Sequence, residues 1–180
     1  MLRTHLTFLR AINVGGHTVK MDVLRSLFEE LGYAHVSTFI ASGNVIFESE
    51  APPSDLEAQI EAHLEQELGY EVATFIRSPA ELAATVRYAA GIPGYDPEAD
   101  SLHVAFLKQV PADSAWSKLL EKQTSMDTFY LKGREYYWHC RGKSATRSFP
   151  MQCWSACSNS PLPCGISPRY KNSRLNILLK

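Results

Sequence analysis

Apolar positions along the first 80 residues switch between two periods. Leu2 to Ile12 is an apolar run that ends shortly before the pair Gly15-Gly16. Read as a strand, it puts Leu6, Phe8 and Arg10 on one face and Thr7, Leu9 and Ala11 on the other. In MDVLRSLFEELG, residues Val23, Leu24, Leu27, Phe28 and Leu31 fall at helical spacing, and Gly32 is a natural stop. HVSTFI and NVIFES read as two strands, and Ala41-Ser42-Gly43 between them leaves room only for a tight connection. A second helix is expected from Ser54, its N-cap, to Gly69, with the stripe Leu56, Ile60, Leu64 and Leu68. YEVATFIRS then reads as a fourth strand.

This order is βαββαβ, the ferredoxin-like pattern of an antiparallel sheet with two helices on one face. The order then begins again. Pro79 to Ala90 reads as a connecting helix, with Ser78 as N-cap and Glu81 at the third position forming a capping box. GIPGYDPEAD is a loop, LHVAFLK a strand and PADSAWSKLLEK a helix. DTFYLKG and REYYWHC form a hairpin around Gly133. The expected class is α+β with two ferredoxin-like βαββαβ repeats, the second incomplete. The expected divisions are residues 1–78 for the first repeat, 79–143 for a linker helix and partial second repeat, and 144–180 for an irregular tail. The halves are expected to share structure with little sequence identity.

Composition changes this picture only in the tail. The whole chain is 45% hydrophobic and 21% charged with net charge −1, as in an ordinary globular protein. That balance gives no bulk argument for nucleic acid or a membrane surface. No apolar run approaches a membrane span, and the N-terminus has no long apolar core of a signal peptide, so a cytoplasmic location is expected. Residues 1–143 carry all 19 acids and a net charge of −6, whereas residues 144–180 carry none and have net charge +5. Those 37 residues also hold three of the four cysteines and four of the ten prolines. They show neither helical nor strand period until about Leu175.

The ordinary reading is a disordered basic extension. The neighbouring reading frame offers another. Joining the last base of each codon to the first two of the next, Met151-Gln152 can give only Ala, and Cys153-Trp154 only Leu. With permitted codons elsewhere, Phe149 to Arg174 yields SHAVLERVLELTAAVRNITTLQKLA. That is an amphipathic helix, a short strand and a second helix start, the elements missing from the second repeat. The expectation is a frameshift between about Gly142 and Phe149.

At LRAINVGG (Leu9 to Gly16) and SGNVIF (Ser42 to Phe47), supported by the later YYWHCRGK, the chain resembles a bacterial family known as domain of unknown function 1697. The resemblance covers roughly residues 3–143. It implies two ferredoxin-like repeats in one chain, continued after the YYW strand by a Leu-rich helix and an RN-x-x-T-x-x-K-L ending. That ending is present in the shifted frame and absent from the frame as translated. Ala11 stands where the family often has Gly. The family has no established activity, so the resemblance implies a fold and no reaction.

The best candidate site is the loop after the first strand. Gly15 and Gly16 allow positive φ and leave backbone N–H groups uncovered. Arg10 lies upstream, and Lys20 sits just before a helix N-terminus, where a cation is unfavourable unless an anion lies between. Asn13, and Ser42, Gly43 and Asn44 on the next loop, add neutral hydrogen-bonding groups. If the first and third strands run antiparallel, the two loops meet at one edge. Turn chemistry alone accounts for the same residue types. The dinucleotide fingerprint and the P-loop are both absent.

Three other constellations were weighed. FYLKGREYYWHCRGK alternates aromatic and basic residues, as a sheet that stacks RNA bases would, but the acidic body argues against nucleic acid. His139 with Cys140 suggests a nucleophile, yet no acid in the sequence is placed to orient the imidazole. Cys153, Cys157 and Cys164 match no common zinc spacing, so no metal and no cofactor is expected. The expected function is a module that binds a small anion or nucleotide. The alternatives are an enzyme on a phosphorylated or carboxylated metabolite, its catalytic residues not specified, and an RNA- or protein-interaction module. No membrane partner is expected.

Overall fold

The computed structural model describes residues 1–10, 12–13, 16–39 and 43–142, together with the strand pair at 165–166. It divides into two compact units, Met1–Leu82 and Ala83–Lys180. Both are mixed α and β with an antiparallel four-stranded sheet. None of the described helices is long and apolar enough to cross a membrane.

The first unit contains β1 (Arg3–Leu9), α1 (Met21–Glu30), β2 (Ala34–Phe39), β3 (Asn44–Ser49), α2 (Pro53–Leu68) and β4 (Thr74–Arg77), with strand order β2-β3-β1-β4. One face of β1, carrying His5, Thr7 and Leu9, aligns with Val45 and Phe47 of β3 and with Thr74 and Ile76 of β4. The helices supply Leu24, Leu27, Phe28, Leu56, Ile60 and Leu64 to the same core. These are positions of the expected helical stripes; Val23, expected on the α1 stripe, is instead exposed, and Leu31 and Leu68 lie partly buried at the margin.

Helix ends follow local chemistry, with one correction. Gly69 ends α2 in the left-handed region at φ 78°, and its N–H donates to the Glu65 carbonyl at 2.9 Å. At the other end, Ser54 is not the N-cap. Pro52 takes that position and Pro53 the first helical one, because proline's fixed φ suits a helix start where an N–H is not needed.

Two acids of α2 protect the edge of β4. Glu57 Oε1 accepts from Ile76 N at 2.9 Å, and Glu61 Oε1 accepts from Thr74 N at 2.7 Å. Four residues of helix rise about 6 Å and two residues of strand about 6.8 Å, so the two carboxylates match two successive outward N–H groups. An edge strand left with free N–H groups is a template for pairing with another chain. Glu57→Ala is expected to cost about 1–2 kcal/mol by leaving a buried N–H unpaired. Urea unfolding would show it as a lower midpoint at unchanged slope.

The linker helix α3 (Pro79–Ala90) starts with the expected capping box. Ser78 N donates to Glu81 Oε2 at 2.8 Å, and Glu81 N donates to Ser78 Oγ at 3.2 Å. The second unit then has β5 (Ser101–Phe106), α4 (Asp113–Leu120), β6 (Asp127–Lys132), β7 (Glu135–Cys140) and β8 (Gly165–Ile166), in the order β6-β7-β5-β8. One expectation changes here. A fourth strand lies within the range expected to be irregular: β8 pairs antiparallel with Ala105 and Phe106 of β5. The remainder of 143–180 lies outside the described residues. The core of this unit includes Leu107, Leu119 of α4, Phe129, Tyr136 and Trp138, with Trp116 and Leu131 partly buried against it.

Strand register also reveals a likeness between the units. Phe8 lies opposite Asn44, the first residue of β3, and Phe106 lies opposite Glu135, the first residue of β7. This aligns His5-Leu6-Thr7-Phe8-Leu9 with His103-Val104-Ala105-Phe106-Leu107. His5 lies opposite Phe47 in the β1–β3 pair, and His103 opposite Trp138 in the β5–β7 pair. The shared residues are His, Phe and Leu of this one segment, so identity between the halves stays low, as expected.

Candidate functional site

The antiparallel pairing of β1 with β3 brings the end of one to the start of the other, so the loop 10–20 and the turn before Asn44 are neighbours. Their contact requires glycine at position 43. Its φ is +83°, and a Cβ added there would lie 2.5 Å from Ile12 Cγ2. Ile12, itself buried, seats its methyl against that bare Cα.

The loop is pinned at three points. Asn13 Oδ1 accepts from Val19 N at 2.7 Å, closing the segment that leads into α1. Tyr70 donates its phenol to the Ile12 carbonyl at 2.8 Å. Arg10 donates its backbone N–H to the Ala73 carbonyl at 2.8 Å, which extends the β1–β4 ladder one step. The His17 ring stacks on Tyr70 with centroids 3.9 Å apart and planes 25° apart. Tyr70 was not anticipated, because its role depends on a contact 58 residues away in the chain.

Of the expected site residues, Asn13, Gly43 and Asn44 lie where the two loops meet. Arg10 stands half-buried at the end of β1. Gly16, at φ +92° with open space around it, and Lys20, at the N-cap of α1, are exposed. Gly15 and Ser42 fall outside the described residues. Among the described residues, neither Arg10 nor Lys20 pairs with a carboxylate, and Lys20 gives α1 no side-chain cap.

The second unit holds a polar cluster that sequence reading missed. Asp100 Oδ2 lies 2.8 Å from His139 Nε2, Asp100 Oδ1 accepts from Gly142 N at 2.9 Å, and Oδ2 also accepts from Asp96 N at 3.2 Å. The Gly142 N–H, and after it the His139 hydrogen bond, hold the Asp100 carboxyl down at about 2. An ionised carboxylate can only accept, so the His139 proton sits on Nε2. The Tyr95 ring meets His139 edge-on at 5.5 Å. His139 is 1% exposed, so this cluster locks loop 91–100 to the end of β7 and offers no reactant access. The available signal was the β5–β7 register, which sets Ser101 opposite Cys140.

Cys140 does not join it. Adjacent strand residues point to opposite faces, and Cys140 lies in the core with Trp138 and Tyr136 while His139 faces Tyr95. Nucleophile chemistry by the pair is therefore excluded. The β7 aromatics Tyr136, Tyr137 and Trp138 are all buried, so they present no face on which an RNA base could stack. Groups of three or more metal-ligating side chains are absent among the described residues.

Fold and site together define an α+β protein with two antiparallel four-stranded sheets, one of them carrying a polar, cation-flanked loop. The chain belongs to the family described as protein of unknown function (DUF1697), whose model matches residues 2–137. No curated protein matches it. It is similar to the conserved bacterial protein SP0830 from Streptococcus pneumoniae, at 16% identity and TM-score 0.76 over 99% of each chain, a likeness of fold.

Proposed function

We propose that the first unit binds a small anion or nucleotide through Arg10, Asn13, Gly15, Gly16 and Lys20 of the long loop and Ser42, Gly43 and Asn44 of the facing turn. The two units are read here as ferredoxin-like repeats. Their matching strand orders and the aligned HLTFL and HVAFL segments support that reading. One observation carries the functional part. After the aligned leucines, the second unit reaches its helix through residues 108–112, whereas the first takes residues 10–20. Five residues suffice for the connection, so the six extra in the first unit are not required by the fold. The longer connection includes the glycine pair, and Arg10 and Lys20 stand at its ends with no acid partner among the described residues. Backbone N–H groups beside unpaired cations at a helix N-terminus suit a phosphate or carboxylate.

Binding without chemistry is favoured over catalysis. His17 lies in the loop itself, and among the described residues it has no carboxylate to orient it. The test is a thermal-shift titration with inorganic phosphate and with nucleoside triphosphates. A concentration-dependent rise in Tm is expected for the native protein, with the affinity weakened at least about tenfold in Arg10→Ala/Lys20→Ala, the loss of one to two charged hydrogen bonds. No rise with any such ligand at millimolar concentration, or equal rises in both proteins, would remove the proposal. His17→Ala separates the ligand classes: it weakens a nucleotide that stacks on the ring and leaves inorganic phosphate unchanged.

A further inference from the structure

We propose that His5 is an acid trigger built into the first unit: it holds a neutral imidazole in the core, and its protonation opens the sheet. His5 is 3% exposed on β1, a strand with neighbours on both sides, and neither ring nitrogen has a hydrogen-bond partner. The next residue on the same face, Thr7, is fully buried and its hydroxyl also lacks a partner. The imidazole lies tilted over the Phe47 ring, centroids 5.4 Å apart, and nothing in that contact accepts a proton.

An imidazolium there would need two acceptors, and neither ring nitrogen has one within hydrogen-bond geometry. The charged groups that act on the ring are few. Arg3, on the same strand, opposes protonation, and Glu81 in the first turn of α3 favours it. The Ser49 backbone also favours it, without hydrogen-bond geometry, and burial outweighs both, lowering the His5 pKa from 6.5. The sign of the linkage follows. A base with a lowered native pKa contributes stability while neutral, so the contribution is full above about pH 6.5 and falls away below it, where the unfolded chain takes up the proton first. Because β1 runs directly into the loop 10–20, opening this strand also dismantles that loop. The trigger itself does not depend on what the loop binds.

The experiment is a set of urea unfolding curves on the full chain between pH 7.5 and 4.5, for the native protein and for His5→Phe. A single uncompensated proton makes the native unfolding constant rise toward tenfold per pH unit below about 6.5. His5→Phe keeps an aromatic ring on Phe47, and its slope should be smaller by close to one proton. Equal slopes in the two proteins would overturn the proposal. Should His5→Phe fail to fold, the native protein still decides by proton NMR. The His5 ring resonance should stay in its neutral position down to the pH at which the first unit unfolds. A titration near pH 6.5 within the folded protein would overturn the trigger.

Discussion

Replacing Asp100 with alanine should lower the stability of the second unit by about 2–3 kcal/mol, because it strands a buried histidine. Three donors converge on this carboxylate: the Gly142 and Asp96 N–H groups and His139 Nε2. Gly142 and Asp96 are exposed, so water can replace the carboxylate at both amides. His139 is buried and has no such substitute, and its loss accounts for most of the effect. In a chain of 180 residues this corresponds to roughly 4–12 °C in Tm. The same carboxylate makes acid stability depend on pH. Its native pKa is held at about 2, below the ordinary carboxylate value near 4, so its contribution is full above about pH 4 and is lost as pH falls through 2. Asp100→Asn, which still accepts from Gly142, should cost less at neutral pH and should abolish that acid-side dependence. Thermal melts of both variants from pH 7 to pH 2 measure the two effects. A neutral-pH Tm of Asp100→Ala equal to the native value would show that the cluster is not a lock.

This pair also marks where sequence reading stops. The stripes of α1 and α2, the Gly69 stop and the Ser78–Glu81 box involve residues within a few positions of one another, and local periodicity and capping chemistry display them directly. The approach of loop 10–20 to Gly43 was also accessible, because an antiparallel β1–β3 pair forces it. Asp100 and His139 lie 39 positions apart and meet only through the β5–β7 register. The carboxylates of Glu57 and Glu61 look like an ordinary solvated helix face until the free edge of β4 is known to lie beside them. Ser54 was misjudged as a cap because two prolines immediately upstream compete for the helix start and fix its φ. The HLTFL and HVAFL correspondence is only five residues long, too short to stand out before register aligns it. Asn13 and Lys20 were legible as residue types suited to an anion, but pattern alone cannot separate a binding loop from a well-satisfied turn. The comparison that weighs on that question, eleven residues against five, needs both strand ends.

Restoring the alternative reading frame after about codon 142 should produce the larger gain in stability, with Tm rising by about 10 °C or more. The frameshift is a proposal that rests on the codon reading, and three observations now bear on it. The family match ends at residue 137, just before the acid-free, cysteine-rich tail. The connection between the third and fourth strands is 24 residues in each unit, 50–73 and 141–164, so the chain length suits a helix and strand even where its residues do not. In addition, β8 occupies the edge of β5 at Gly165–Ile166, within the codons that spell Arg-Asn-Ile-Thr-Thr in the shifted frame. That segment places the β-branched Ile-Thr-Thr, suited to a sheet, at this edge. The preceding shifted segment, SHAVLERVLELTAAV, sets Val and Leu at helical spacing with no proline. Ordering this segment costs backbone entropy in either frame, and the shifted frame offers apolar side chains, worth roughly 1.5–3 kcal/mol each when buried, to offset it. At about 2–4 °C per kcal/mol for a chain of this length, a net gain of a few kcal/mol gives the stated rise in Tm. The tail as translated has four prolines and no periodic stripe before Leu175 to set against the same entropy. Resequencing the gene across codons 140–180 decides the matter first, since an unbroken frame encoding the present tail would refute the frameshift. If the frame is broken, calorimetry on both products tests the energetics, and equal melting temperatures would mean that the restored helix and strand add nothing to the second unit.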